Sequence, residues 1–264
     1  MAINRADIAK QLLPGLNAIF GLEYAAVDEE ERPLFDMENS DRAFEEEVLM
    51  TGFGAAPTKA EGAAVVYDTA QESWTSRYTA ETVALAFAVT EEAMEDNLYD
   101  TFAKVRARAL ARAMAQTKQV KAANVYNNGF TAGFVGGDGV VLFSAAHPTV
   151  GDGNQSNLET AADLSEGTLE TAIINTHKMK DDRGIFIGAS PVSLHVAPDG
   201  QFDADRILAS PGRPNTDLND INAVRNLGLV PNGYYVNRRF TDADAWFLRN
   251  DCPNGTKMFM RAPL

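Results

Sequence analysis

Three histidines, one cysteine and four closely spaced aspartates are the residues of this 264-residue chain whose types and spacing would most readily do chemistry. His147, His177 and His195 fall on an expected loop, helix and strand, and none has a second His or a Cys at ligand spacing. A zinc site needs clustered imidazoles or thiolates, as in H-E-x-x-H or C-x-x-C, and neither occurs. His147, just before Pro148, therefore reads as a turn or packing residue ahead of a ligand or base. Asp203/Asp205 and Asp242/Asp244 set carboxylates two apart, as calcium sites do. Neither pair continues into the twelve-residue calcium loop, so both read as caps and surface charges. The glycine-rich turns lack the Gly-Lys-Ser/Thr ending of a phosphate loop, and no G-x-S-x-G elbow presents a serine. Cys252 reads as a small filler. No catalytic residue, metal ligand or cofactor site is assigned.

With no chemistry to anchor, the charge pattern carries more information. The formal net charge is -14, which argues against a surface built to grip nucleic acid or an anionic membrane. One cysteine excludes an internal disulfide framework and fits a reducing compartment. No apolar run approaches the ~20 residues of a membrane span, and the start, Met1 to Asp7, has no apolar segment marking it for secretion. Residues 1–50 hold 12 acids and 4 bases. Between Asp100 and Asp138 there is no acid, while Lys104, Arg106, Arg108, Arg112, Lys118 and Lys121 are all basic. An acidic front and a basic middle are either two surfaces that need partners or a solvated linker and an ordinary helix face.

The expected elements make an α+β chain without βαβ repetition. Residues 4–20 read as an amphipathic helix through Ile8, Leu12, Leu16 and Ile19, weakened at Pro14. Residues 21–62 have little periodicity and read as disordered, or as an extended arm packed on something else. Residues 63–67 and 74–79 read as the two strands of a hairpin, and 83–89 as a further strand of period two. Residues 91–127 lack Gly and Pro and predict a long helix capped by Thr90, with Met94, Leu98, Phe102, Val105, Ala109 and Ala113 as its apolar stripe. Beyond it a hairpin is expected at 134–143, a polar loop at 147–163, and a helix at 164–179 capped by Asp163 or Ser165. A strand through Val192, Leu194 and Val196, a helix at 202–209 and strands at 224–230, 233–240 and 244–249 complete the reading. Trp74, Arg77 and Tyr78 on the hairpin read either as a contact patch or, for Trp74, as burial within its own subunit.

Arm, hairpin, basic rod and α+β remainder, in that order, resemble the major capsid proteins of tailed bacteriophages, specifically the Mu-like major head subunit group. The resemblance rests on Lys59-Ala60-Glu61-Gly62 with Val66-Tyr67-Asp68, and on the run from Arg77-Tyr78-Thr79 through Val89-Thr90-Glu91-Glu92 to Glu95-Asp96-Asn97-Leu98-Tyr99. It continues through Leu142-Phe143-Ser144-Ala145-Ala146-His147-Pro148, Asp163-Leu164-Ser165, Gly233-Tyr234-Tyr235-Val236 and Asp242 to Leu248. It implies the capsid fold of phage Hong Kong 97. The arm would be 1–50, the extended loop 51–89 and the spine helix of a peripheral domain 90–128. Residues 129–235 would be mostly axial domain, with 236–264 returning to the peripheral domain. Relatives usually continue past the equivalent of Met258 to Leu264 with a further basic, aromatic strand, which would here be left open or filled from elsewhere. Some such shells form Lys–Asn crosslinks, but no motif around Lys59 carries that reaction over.

The implied function is a non-enzymatic shell subunit that assembles with itself as hexamers and pentamers around double-stranded DNA, without sequence-specific binding and with no membrane. Scaffold, portal and decoration proteins are the implied further partners, and the virion, assembled in the host cytoplasm, is the implied location. Candidate inter-subunit contacts are Trp74, Arg77, Tyr78, Lys104, Arg106 and Arg108. The alternatives are a nanocompartment shell of the same fold and a monomeric cytosolic enzyme.

Overall fold

A computed structural model describes residues 9–88, 99–151, 153–213 and 220–262, with the side chains of 9–16 and 99–102 left aside. The chain divides into two compact units, Met1–Glu29 with Glu81–Ala122, and Glu30–Ala80 with Ala123–Leu264.

The first unit is helical. Helix α1 (Ala9–Ala25) continues through Pro14 and runs past the expected end at residue 20. Helix α2 (Tyr99–Asn127) is the long rod, and its last turns belong to the second unit. The expected cap Thr90 and residues 91–98 lie outside the described residues. Where the helix is described, its buried face differs from the expected stripe. Val105 is exposed, whereas Ala103, Ala107, Ala111, Met114, Ala115, Ala122, Ala123 and Tyr126 are buried. Ranking residues by hydrophobic bulk selected the wrong face, because alanines at helical spacing permit close approach with little apolar mass.

The second unit is built on a three-stranded sheet. Strand β6 (Pro191–Val196) lies between β7 (Tyr234–Val236), parallel to it, and β8 (Trp246–Asn250), antiparallel. Successive strand residues point to opposite faces. Leu194 and Val196 face helices α3 (Glu166–His177) and α4 (Gln201–Ala209), forming a core with Leu169, Ile173, Ala204, Ile207, Val224 and Val230. Ser165 rather than Asp163 caps α3, accepting from Thr168 N while the Thr168 hydroxyl takes Ser165 N. The expected inner face of α3 is the observed one, with Leu169, Ala172, Ile173 and Thr176 all buried.

Three short pairs surround this sheet. Strand β1 (Asp36–Asn39) runs parallel to β9 (Lys257–Met260), β2 (Phe44–Met50) antiparallel to β3 (Glu72–Thr79), and β4 (His147–Pro148) antiparallel to β5 (Asn154–Gln155). Five expectations are corrected. Residues 63–67 form no strand; the partner of 72–79 is 44–50, inside the stretch read as irregular. Glu45, Glu46 and Glu47 disguised β2, since Glu disfavours strands, yet Glu46 sits opposite Arg77. Residues 83–88 form no strand and are mostly exposed. At 224–230 stands a short helix, α5 (Ala223–Asn226), whose cap Asn222 accepts from Arg225 N, and Gly228 at φ 61 ends it. The expected strand 233–240 stops at Val236, because the Asn237 side chain accepts Arg239 N and turns the chain. The hairpin at 134–143 reduces to a single bridge, Val135 to Val141.

Candidate assembly surfaces

The β2–β3 ribbon presents two unlike faces. On one, the Tyr78 ring packs tilted 5.1 Å from Phe259 of β9 and its hydroxyl donates to Glu47 at 3.3 Å, while Lys257 reaches Glu47 and Glu38. Burial first, then the Glu47 carboxylate, pushes the Tyr78 phenol above its usual range, and the bond to Glu47 raises Lys257. On the other face Arg77 lies 4.0 Å over the Phe44 ring and 3.2 Å from Glu46, beside exposed Val48 and Met50. Trp74 is half-buried, between the two readings made from the sequence.

The ribbon's two strands are joined by a loop, residues 51–71, that is fastened at its base. Thr51 N bonds Gln71 O at 3.0 Å, and Gln71 N bonds the Thr51 hydroxyl at 2.9 Å. Further out, Asp68 accepts from Gly54 N at 2.7 Å, Thr69 N at 2.8 Å and Arg183 at 3.1 Å to both oxygens. These donors, the Gly54 amide foremost, hold the Asp68 carboxyl below its usual range although it lies in water. Beyond this pin, residues 55–67 are exposed throughout and turn at Ala60–Ala63, where Gly62 takes φ +76. Only glycine adopts that angle without strain.

In the first unit, opposite charges meet. Glu23 on α1 bonds Arg112 at 2.6 Å and lies 4.0 Å from Arg108; Glu29 is 3.6 Å from Lys118, and Glu81 pairs with Lys121. The acidic front and basic rod noted in the sequence thus partly neutralise each other within one chain. Lys104, Arg106 and Arg108 all stand on the exposed face of α2.

The opposite face of the sheet, which carries Ser193 and His195, borders an open cleft of about 1450 Å³ lined by aromatic rings. At its wall Tyr126 contacts Phe35, Phe143, Phe240 and Phe247 with centroids 5.2–6.2 Å apart, and its hydroxyl donates to Leu34 O at 2.9 Å. Gly129 admits this packing: a Cβ there would fall 2.5 Å from the Phe143 ring. Nothing about the single residue Tyr126 singled it out in the sequence, because its partners come from distant segments.

The titratable residues are placed as packing groups. His147 holds Asp138 at 2.6 Å and Asn157 at 3.2 Å, and His177 meets Ala189 O at 3.1 Å. His195 is 1% exposed, bonds Ser193 at 2.9 Å and stacks on Tyr235; burial, helped by Arg249, lowers it from 6.5 to about 4. Cys252 is half-buried, and burial then Asp251 push its thiol up, the reverse of an activated nucleophile. Asp203 pairs with Arg206, and Asp242 accepts Asp244 N, as cap and surface charges. Among the described residues no group of three His, Cys, Asp or Glu is placed to hold a metal, and no helix is long and apolar enough to cross a membrane.

The profile of a family described as phage capsid protein matches residues 71–260. No curated protein sequence matches the chain. Among solved structures the chain is similar to one in a capsid of bacteriophage JBD30 decorated with minor capsid protein trimers. The identity is 12%, the TM-score 0.61, and the superposition covers 82% of this chain and 92% of that one. At that identity the likeness speaks for the fold alone: an α+β capsid fold.

Proposed function

The chain belongs to the phage capsid protein family, and we propose from this that it is the major head subunit whose copies close into the icosahedral shell around a tailed phage's double-stranded DNA. The observation that carries the reading is the family match across 71–260, which takes in strand β3 of the ribbon, the rod and the sheet. Its place is the virion. A nanocompartment shell is not favoured, since the matching family is that of phage capsids.

The finer assignments follow the resemblance. The fold is that of the phage Hong Kong 97 capsid, with 1–50 as arm, 51–89 as extended loop, 90–128 as spine helix, 129–235 mostly axial and 236–264 returning to the periphery. The loop is ordered by neighbouring copies, an idea supported by the long exposed run at 55–67, whereas 36–39 and 44–50 of the arm pair within their own chain. Trp74, Arg77, Tyr78, Lys104, Arg106 and Arg108 make inter-subunit contacts, with Tyr78 and Arg77 also holding their own ribbon. The subunit carries no catalysis, and scaffold, portal and decoration proteins join the shell. A net charge of -14 suits a container that lets DNA slide past its lining.

Negative-stain microscopy of the purified protein tests the reading. Closed particles of uniform diameter are expected. A monomer at every concentration would overturn it.

A further inference from the structure

The sequence holds three Asn-Gly pairs, Asn128-Gly129, Asn232-Gly233 and Asn254-Gly255, and the last two follow Pro231 and Pro253. Such a pair has a chemistry of its own. With no side chain on the glycine to obstruct it, the glycine amide nitrogen can reach the Cγ of the preceding asparagine. A five-membered succinimide ring closes when that amide is free to move and to give up its proton. The three pairs differ in this respect.

Gly129 N donates to Tyr126 O at 3.0 Å, and the glycine is buried against the Phe143 ring. Gly233 N donates to Val230 O at 3.0 Å, closing a turn with Pro231 and Asn232 at its centre. That turn is sewn to β6, because Asn232 N bonds Val192 O and Leu194 N bonds Gly233 O, each at 3.0 Å. The second Pro-Asn-Gly folds differently. Asn254 takes φ 61 and is the only non-glycine with a positive φ among the described residues. Pro253, Asn254 and Gly255 are all exposed. Among the described residues, Gly255 N donates to no acceptor and the Asn254 side chain has no hydrogen-bond partner.

This turn also sits on a joint of the fold, between β8 and β9. The next residue, Thr256, donates its hydroxyl to Leu34 O at 2.9 Å, and its carbonyl accepts Asp36 N at 2.9 Å. A Cβ on Gly255 would stand 3.8 Å from the Asp36 carboxylate, which Arg249 holds.

We propose that Asn254 is a self-modification site. Gly255 N attacks Asn254 Cγ, the new C–N bond closes the ring, and Nδ2 leaves as ammonia with the amide proton. Water then opens the ring, at Cγ to give aspartate or at the main-chain carbonyl to give isoaspartate. Either product adds a carboxylate to a turn that already borders Asp36, and isoaspartate also lengthens the link from β8 to β9. Both changes loosen the start of β9, the strand whose Lys257 and Phe259 brace the ribbon. The site stands independently of the shell reading.

Peptide mapping of the full chain, aged in mildly alkaline buffer, tests the site. The mass gain of –NH2 becoming –OH should build up at Asn254 about tenfold faster than at Asn232, despite the shared tripeptide. An isoaspartyl methyltransferase should label the same peptide, and in denatured chain the two sites should react at similar rates. Gly255→Ala should slow the reaction about tenfold. It keeps the fold, since the added Cβ meets Cys252 O and Asp36 at contact distances of 3.6 and 3.8 Å. Amide exchange at 256–260 should quicken in aged wild type and not in aged Gly255→Ala. Equal rates at Asn232 and Asn254 in the folded chain, or an unmodified Asn254, would overturn the site. A modified turn with unchanged exchange in β9 would overturn its effect on the strand.

Discussion

The sheet core of the second unit and the charged helices of the first are held by different physics. In that core, Leu169 of α3 and Leu194 of β6 are 0% exposed and His195 1% exposed, and β6 is covered on both faces. Such a region loses stability sharply when one side chain is cut, because close-packed surroundings cannot collapse into the gap. Around α1 and α2 the buried face is mostly alanine, with little apolar mass, and the ion pairs keep their arginines mostly in water: the Arg112 side chain is 70% exposed and that of Arg108 56%. Exposed pairs contribute little each and weaken with salt. One region is suited to specifying the subunit; the other is suited to being rearranged when subunits meet.

The largest effect should come from cutting the core. Leu194→Ala removes a fully buried side chain between α3 and α4 and should cost about 4 kcal/mol. Urea unfolding of dissociated subunits measures it, and a loss as small as that of a surface change would erase the contrast between the two regions.

Next comes the other face of the same strand. His195 is neutral when folded because burial opposes its charge, its value falling from 6.5 to about 4. A lowered value means that the unfolded chain binds the proton first. Stability is therefore fully present above pH 6.5 and drains as pH falls towards 4, by about 3 kcal/mol. The groups facing the ring are Arg249 on β8, Ser193 on its own strand and Tyr235 on β7. His195→Gln should flatten this part of the pH profile, and equal slopes for both proteins would show that the ring is already solvated.

The two regions also differed in how far sequence revealed them. Period-two alternation at Val192, Leu194 and Val196 and the capping box at Ser165 are local signals, and both elements stand where expected. The buried role of His195 was not legible, since alternation alone assigns the odd positions of a strand to solvent. Only the Tyr126 and Phe247 side of the sheet, assembled from distant segments, covers them. The ribbon misled for a related reason. Ala63 to Tyr67 has the composition of a strand, but the pairing strand is the glutamate-rich 44–50, matched through Arg77 and through Lys257 far along the chain. The candidate assembly residues were legible as types and not as geometry. Arg77 and Tyr78 proved to lie on opposite ribbon faces, and the loop's fastening at Asp68 depends on Arg183, whose placement no local pattern announces.

The smallest effect sharpens the comparison most. Glu23 draws Arg108 and Arg112 towards α1 with a carboxylate whose side chain is 21% exposed. Removing it leaves two arginines that water solvates readily, so Glu23→Ala should change global stability by less than about 1 kcal/mol. Its consequence should instead be local. At low salt, amide hydrogen exchange in the last turns of α1 should quicken in the variant while β6 and α3 stay protected. Raising ionic strength shortens the reach of the attraction, so wild type at about 1 M salt should exchange like the variant. A variant that unfolds globally, or a wild type indifferent to salt, would mean that apolar contacts rather than charge fasten this helix, and the two regions would then differ in degree and not in kind.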